Sequence, residues 1–302
     1  MKEFFKGYVE ICEYDGYTYF YRFSEKQRLI YEGMSDWFGK MSRCSAGIRI
    51  EAEECGYIEF EYAAEEDFVF DMVHDNLCEH IGCRKNGNIK LNCHGENIKI
   101  FFPYDIPVGV RNVNVCGKYP KKKPIVYCFG DSITQGYYSE YSSVTYPNIL
   151  CRSMAVDTYN FGIGGMYFDV KALADISLLS VPEFVIVAYG TNDWKFETGL
   201  KEKMPEMLRA LAEKYVKNRI FVLLPSARDG ENEIKRDGTL QTVREMIAAE
   251  CAKYNNFVVL NSGNKIDVKT QLQDGLHPNS IGMEIYGKCI AEDVKRFVNT
   301  NI

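Results

Sequence analysis

From Ile125 to Val298, short apolar runs alternate with segments of helical periodicity, and this alternation constrains the fold more than any other feature of the chain. Ile125–Phe129, Phe184–Tyr189, Ile220–Leu224 and Phe257–Leu260 are strand-sized and almost wholly apolar. Thr145–Met154, Leu200–Lys217, Thr239–Tyr254 and Ser280–Val298 read as helices, with Pro147 tolerated in a first turn and Asn279 as an N-cap. Met204, Met207, Leu208 and Leu211 fall on one face of the second of these. Apolar strands joined by amphipathic helices call for a parallel sheet covered on both faces, where each helix buries its stripe.

Residues 1–117 follow a different rule. Short runs broken by Gly, Asn and Asp dominate: Tyr17–Phe23, Ala46–Glu51, Tyr57–Tyr62, Phe68–Val73, Ile89–Cys93 and Asn97–Phe102. Several alternate apolar with polar residues, as in Ile58-Glu59-Phe60-Glu61-Tyr62, the period of a half-buried strand. Asn86-Gly87 reads as a tight turn between two runs. Many short strands at close spacing predict a β-sandwich or jelly roll. The expected organisation is therefore an all-β domain over 1–117, a linker over 118–124 and an α/β domain over 125–302.

The net charge of −6 opposes a nucleic-acid or anionic-membrane partner, which needs a basic face. The four lysines within Lys118–Lys123 read as a solvated linker. No run approaches the ~20 apolar residues of a membrane span. Met1–Phe5 lacks the cationic start and apolar run of a signal peptide, so a cytoplasmic protein is expected. The 11 cysteines form no compact framework of the small secreted kind and read as reduced thiols, with Cys128 and Cys289 as core residues.

In an open parallel sheet, reactive groups gather where the carboxyl ends of the strands open into loops. Gly130-Asp131-Ser132-Ile133-Thr134 follows the first strand, and Gly190-Thr191-Asn192-Asp193 follows the second. Asn160-Phe161-Gly162-Ile163-Gly164-Gly165 lies between them, and Asp274-Gly275-Leu276-His277-Pro278 precedes the last helix. A serine hydroxyl becomes a nucleophile only beside a base, and that base needs a third group to fix its tautomer. Ser132 supplies the hydroxyl. His277, alone among the four histidines in lying within the α/β part, supplies the base, and Asp274 the carboxylate. A tetrahedral intermediate also needs donors for its oxyanion. The backbone N–H of Ser132, the unshielded N–H of Gly165 and the side-chain amide of Asn192 are the candidates.

These four segments, in this order, resemble the blocks of the SGNH/GDSL hydrolases over about Ile125 to Val298. Ser132 falls in the nucleophile block, Gly165 and Asn192 at the oxyanion positions, and Asp274-x-x-His277 in the terminal block. Met166 departs from the pattern, since many relatives carry a polar residue after the oxyanion glycine; it changes the pocket wall. The resemblance implies a flavodoxin-like three-layer α/β/α domain and acyl-enzyme chemistry without metal or cofactor. With the preceding β-domain, the chain resembles two-domain carbohydrate esterases that remove acetyl groups from sugars. Some of these lack the triad aspartate, but this chain has Asp274. The implied partner is a small-molecule or oligosaccharide acyl ester, and oligomeric state is left open. Lipid or thioester substrates, or a non-catalytic carbohydrate-binding or scaffold protein, are the alternatives.

Each block has a plainer reading in isolation. Gly130-Asp131-Ser132, Asn192-Asp193 and Asp274-Gly275 are ordinary turn or cap sequences. The glycines of Gly162–Gly165 could form a phosphate-binding loop, but residue 167 is Tyr and the dinucleotide spacing is absent. Cys78, His80, Cys83, Cys93 and His94 suggest zinc, yet their spacing is not that of the usual structural sites, and no metal is expected. Trp194 reads as a pocket wall or as packing. Tyr137, Tyr138 and Tyr141 read as an aromatic wall or, more simply, as surface-loop tyrosines.

Overall fold

A computed structural model describes residues 1–74, 77–175 and 181–298. They divide into two compact units, Met1–Lys123 with Tyr141–Ser143, and Pro124–Glu140 with Val144 onward.

The first unit contains β1 (Phe5–Lys6), β2 (Glu10–Tyr14), β3 (Tyr17–Tyr21), α1 (Glu25–Met34), α2 (Asp36–Ser42), β4 (Arg49–Ala64), β5 (Phe68–His74), β6 (Leu77–Cys83), β7 (Asn86–Phe101) and β8 (Val108–Lys118). The strands form one antiparallel eight-stranded sheet, ordered β2-β3-β8-β4-β7-β5-β6, with β1 on β4. In a flat sheet Phe70 would stand far from Phe60. Its neighbour Asp71 pairs with Phe101, which pairs with Arg49, eleven residues up β4 from Phe60. At ~3.3 Å per residue that is roughly 36 Å. Yet the rings of Phe60 and Phe70 are 5.6 Å apart and those of Tyr62 and Phe70 5.7 Å. The sheet therefore folds over on itself. The bend falls where β4 carries register shifts, between Ala52 and Tyr57. Ile50, Ile58, Phe60, Phe70, Ile89, Ile100 and Val110 share the enclosed core.

Three local expectations change. Asn86-Gly87 opens β7 instead of forming a turn; Gly87 stands opposite Tyr62, whose ring occupies the space a Cβ would need. The two-residue hairpin turn is Asp15-Gly16, with both residues at positive φ, between β2 and β3. Helices α1 and α2 interrupt the strands, each capped by a serine: Gln27 N donates to Ser24 Oγ (3.2 Å) and Phe38 N to Ser35 Oγ (3.1 Å). The lysine run is only partly a solvated linker. Lys118 ends β8, and Lys123 pairs with the buried Glu51, which also meets Arg49 (2.6 Å) and Lys99 (3.2 Å).

The second unit contains β9 (Ile125–Gly130), α3 (Ser132–Gln135), α4 (Tyr146–Ser153), β10 (Asp157–Gly162), β11 (Phe184–Ala188), α5 (Thr191–Phe196), α6 (Leu200–Lys214), β12 (Arg219–Leu223), α7 (Leu240–Cys251), β13 (Phe257–Leu260) and α8 (Ser280–Val298). Five parallel strands run in the order β10-β9-β11-β12-β13. This is the flavodoxin-like doubly wound order. Alternate strand residues serve opposite faces. Val126, Cys128, Phe184, Ile186, Phe221 and Leu223 pack with Tyr146, Leu150, Met283, Tyr286 and Ile290 of α4 and α8. On the other face Tyr127 meets the ring of Tyr215, just after α6. The strand order reverses direction at β9, so its carboxyl end opens into the crevice where such folds place their sites. Asn279 caps α8 as expected, accepting from Gly282 N at 2.9 Å. The cysteines are thiols; Cys128 is buried and Cys289 half-buried. Among the described residues no helix is long and apolar enough to cross a membrane.

Candidate active site

Strand β9 ends at Gly130, and the chain turns at once into the single turn of α3. A Cβ at residue 130 would overlap Thr134, so only glycine lets the helix begin so close to the strand. Asp131 caps this turn, accepting from Ile133 N at 3.0 Å. Gly136, at φ 116°, ends it. Ser132 is thereby held at the first helical position with 7% of its surface exposed. Burial pushes the Asp131 carboxyl up to about 7.

His277 and Asp274 lie on the loop before α8. Gln273 N donates to His277 O (2.8 Å) and Asn279 N to Gln271 O (3.0 Å), so the loop closes on itself. Gly275, at φ 76°, makes the turn and leaves no room for a side chain against Asp229. The Asp274 carboxylate accepts from His277 N (2.8 Å), Leu276 N (3.1 Å) and the imidazole Nδ1 (2.9 Å). Burial raises its pKa, but these donations outweigh burial and hold it below the usual carboxylate range. The network assigns the Nδ1–H tautomer, which leaves Nε2 as acceptor. Nε2 lies 2.8 Å from Ser132 Oγ. Ser132, His277 and Asp274 thus form one continuous hydrogen-bonded chain.

Of the three groups expected as oxyanion donors, two are backbone N–H groups and one is a side-chain amide. Gly165 sits at φ 84° in a turn closed by Met166 N donating to Ile163 O at 2.9 Å. Neither its N–H nor that of Ser132 donates to another group among the described residues. Asn192, almost wholly buried, uses one amide proton on Met166 O (2.9 Å) and keeps the second. The Met166 side chain is fully buried, so its part is to present that carbonyl instead of forming an open pocket wall.

Several supports were missed at the level of sequence. Asn160 Nδ2 donates to Thr134 O (2.8 Å), and Gly164 N donates to Gln135 Oε1 (2.7 Å), tying the glycine segment to α3. Asp193 accepts from Phe168 N (3.2 Å) and Thr198 Oγ1 (2.9 Å), and burial raises its carboxyl to about 6. Arg228 reaches Thr191 Oγ1 at 3.1 Å and lies 5.3 Å from the Trp194 ring. Burial lowers its pKa, against the attraction of Asp274. A loop arginine outside every motif offers no sequence signal.

Trp194 is buried, donating to Gly238 O at 3.0 Å, and so is packing. Tyr137 and Tyr138 are not indifferent loop residues: their rings lie 6.2 and 5.0 Å from the His277 ring. Tyr141 lies elsewhere, stacked on His80. The five zinc-like residues do not converge: Cys83 and Cys93 are buried and bond the carbonyls of Ile81 and Leu91.

Residues 128–285 match the GDSL-like Lipase/Acylhydrolase family. No curated protein sequence matches the chain. Among solved structures, the salicylyl-acyltransferase SsfX3 from a tetracycline biosynthetic pathway aligns over 97% of this chain and 94% of its own, at 15% identity and a TM-score of 0.80. A family two carbohydrate esterase from Clostridium thermocellum, in complex with cellohexaose, aligns over 85% and 94%, at 14% identity and a TM-score of 0.66. An acetyl xylan esterase from the rumen bacterium Butyrivibrio proteoclasticus aligns over 85% and 90%, at 11% identity and a TM-score of 0.57. At these identities the likeness is one of fold.

Proposed function

Because the chain belongs to the GDSL-like lipase/acylhydrolase family, whose members act on ester bonds, we propose that it hydrolyses short acyl esters, acetyl above all, of carbohydrates, with Ser132 as nucleophile. The observation that carries this reading is the continuous chain from Ser132 Oγ through His277 to Asp274. Ser132 Oγ attacks the ester carbonyl carbon as its proton passes to His277 Nε2. The Ser132 and Gly165 N–H groups and the Asn192 amide stabilise the oxyanion. The tetrahedral intermediate collapses, the bond to the alcohol oxygen breaks, and His277 gives its proton to that oxygen. Water then repeats the sequence on the acyl-Ser132 ester. Asp274 keeps the imidazole in its tautomer and offsets the imidazolium charge.

The carbohydrate part rests on the named activities of the esterases of like fold. Tyr137 and Tyr138 beside the imidazole supply aromatic faces of the kind that sugars pack on. Hydrolysis of p-nitrophenyl acetate by the wild type and by Ser132→Ala tests the chemistry; equal rates refute it and favour a binding module. Acetylated sugars against short-chain lipid esters and acyl thioesters test the substrate class.

A second reading is favoured by the match to an acyltransferase over nearly the whole chain. In it a hydroxyl acceptor, not water, takes the acyl group from Ser132. Product partitioning in the presence of an added sugar alcohol separates the two.

A further inference from the structure

Strands β5 and β6 place three chemically distinct ligating groups on one face of the first unit. Asp71 stands directly opposite His80 in the register, and Cys78 is two residues from His80 on β6. The pleat sends all three side chains to the same side. One ligand atom from each, the Asp71 carboxylate, the Cys78 Sγ and a His80 ring nitrogen, lies within 4.8 Å of the other two. His80 Nδ1 is 2.8 Å from Asp71 Oδ1.

We propose that Asp71, Cys78 and His80 form a metal site for a divalent cation of borderline softness, zinc foremost. The donor set is one oxygen, one nitrogen and one sulfur, the mixture that zinc and cobalt accept and that magnesium and calcium do not. Zinc bonds of about 2.0–2.3 Å put tetrahedral ligands roughly 3.4 Å apart, and these groups, within 4.8 Å of one another, come to that spacing by side-chain shifts of about an ångström. The surroundings orient them in advance. Ser143 N donates to Asp71 Oδ2 at 2.7 Å, which fixes the carboxylate. The His80 ring lies flat against Tyr141, with centroids 3.4 Å apart. Cys78 Sγ is 3.4 Å from Ser143 Oγ and, being exposed, leaves the fourth position to solvent. A carboxylate only 1% exposed, as Asp71 is, is costly to bury, and a cation offsets that cost. Bound metal would tie Tyr141–Ser143 more firmly to the two strands through Asp71 and His80.

The sequence pointed at Cys78 and His80 but sought the remaining ligands among cysteines and histidines. The third is an aspartate on the neighbouring strand, which no spacing rule within one strand reveals.

The test is titration of the chelator-treated full-length protein with cobalt(II), followed by absorption, and with zinc by calorimetry. One equivalent is expected to bind with a thiolate-to-cobalt charge-transfer band. Cys78→Ser is expected to lose that band, and His80→Ala to weaken zinc by roughly 10–100-fold, with unchanged circular dichroism in both. Cys116→Ser, at another exposed thiol, is expected to keep the band. Absence of stoichiometric binding in the wild type overturns the proposal, as does a band that survives Cys78→Ser. Either result leaves Asp71 and His80 as a hydrogen-bonded pair only.

Discussion

Ser132 Oγ and His277 Nε2 lie 2.8 Å apart although 145 residues separate them along the chain. Two short, rigid devices bring this about. The turn after β9 fixes one atom through Gly130, Asp131 and Gly136. The self-closed loop Gln271–Asn279 before α8 fixes the other. No long side chain has to search for its partner, which is the condition for a base to act without reorganisation.

Asp274→Asn is expected to lower kcat by about 10³–10⁴-fold with KM little changed, because an amide can donate to Nδ1 and favour the wrong tautomer. The carboxylate sits below its ordinary range and is therefore ionised across neutral pH. The loss should thus appear as a lowered plateau of the pH–rate profile, not as a moved limb. Steady-state rates on p-nitrophenyl acetate from pH 5 to 9 check it.

In the proposed mechanism Asn192→Ala removes a donor to charge that exists only in the transition state. The expected cost is about 10²–10³-fold in kcat with an almost unchanged KM. A rise in KM at constant kcat would instead make Asn192 a ground-state binding residue.

Asp131 gives a pH signature of stability. Its folded pKa is raised from 3.8 to about 7. The buried acid therefore favours the fold fully below pH ~4, and that contribution fades as pH rises through about 7. Asp131→Asn keeps the acceptor for Ile133 N without the titrating proton. Relative to wild type it should gain stability between pH 4 and pH 7, by roughly 3–4 kcal/mol over that interval. Urea unfolding at the two pH values measures the difference.

Glu51 is enclosed by Arg49, Lys99 and Lys123. Burial raises its pKa, but the three cations overcome burial and hold the carboxyl far below its ordinary range. Its stabilisation is present in full above the unfolded value and is lost progressively as pH falls below it. Glu51→Gln removes the carboxylate beside the buried Arg49 and should cost about 3–5 kcal/mol. Denaturant midpoints at neutral pH test this.

The α/β unit was largely legible because its strands are apolar throughout and its helices carry clear stripes. β10 escaped because Asp157, Thr158 and Asn160 dilute its apolar character. The β unit was legible only in kind. Nothing in a window of residues shows that β4 and β7 each run through two short apolar segments, or that the sheet folds over at the register shifts near Cys55. Helices α1 and α2 are short and rich in polar residues, and their serine caps are the signal that marks them. At the candidate site, groups expressed as motifs were found. Arg228 and Gln135, which lie outside every motif, were not, nor was the bracing part of Asn160 within the glycine segment, because their partners are set by tertiary contact alone.

The most direct test of the account is covalent labelling with a fluorophosphonate, followed by peptide mass analysis. The account predicts one adduct, on Ser132, lost in Ser132→Ala and strongly slowed in His277→Ala. An adduct on another residue, or labelling at undiminished rate without the imidazole, would contradict it.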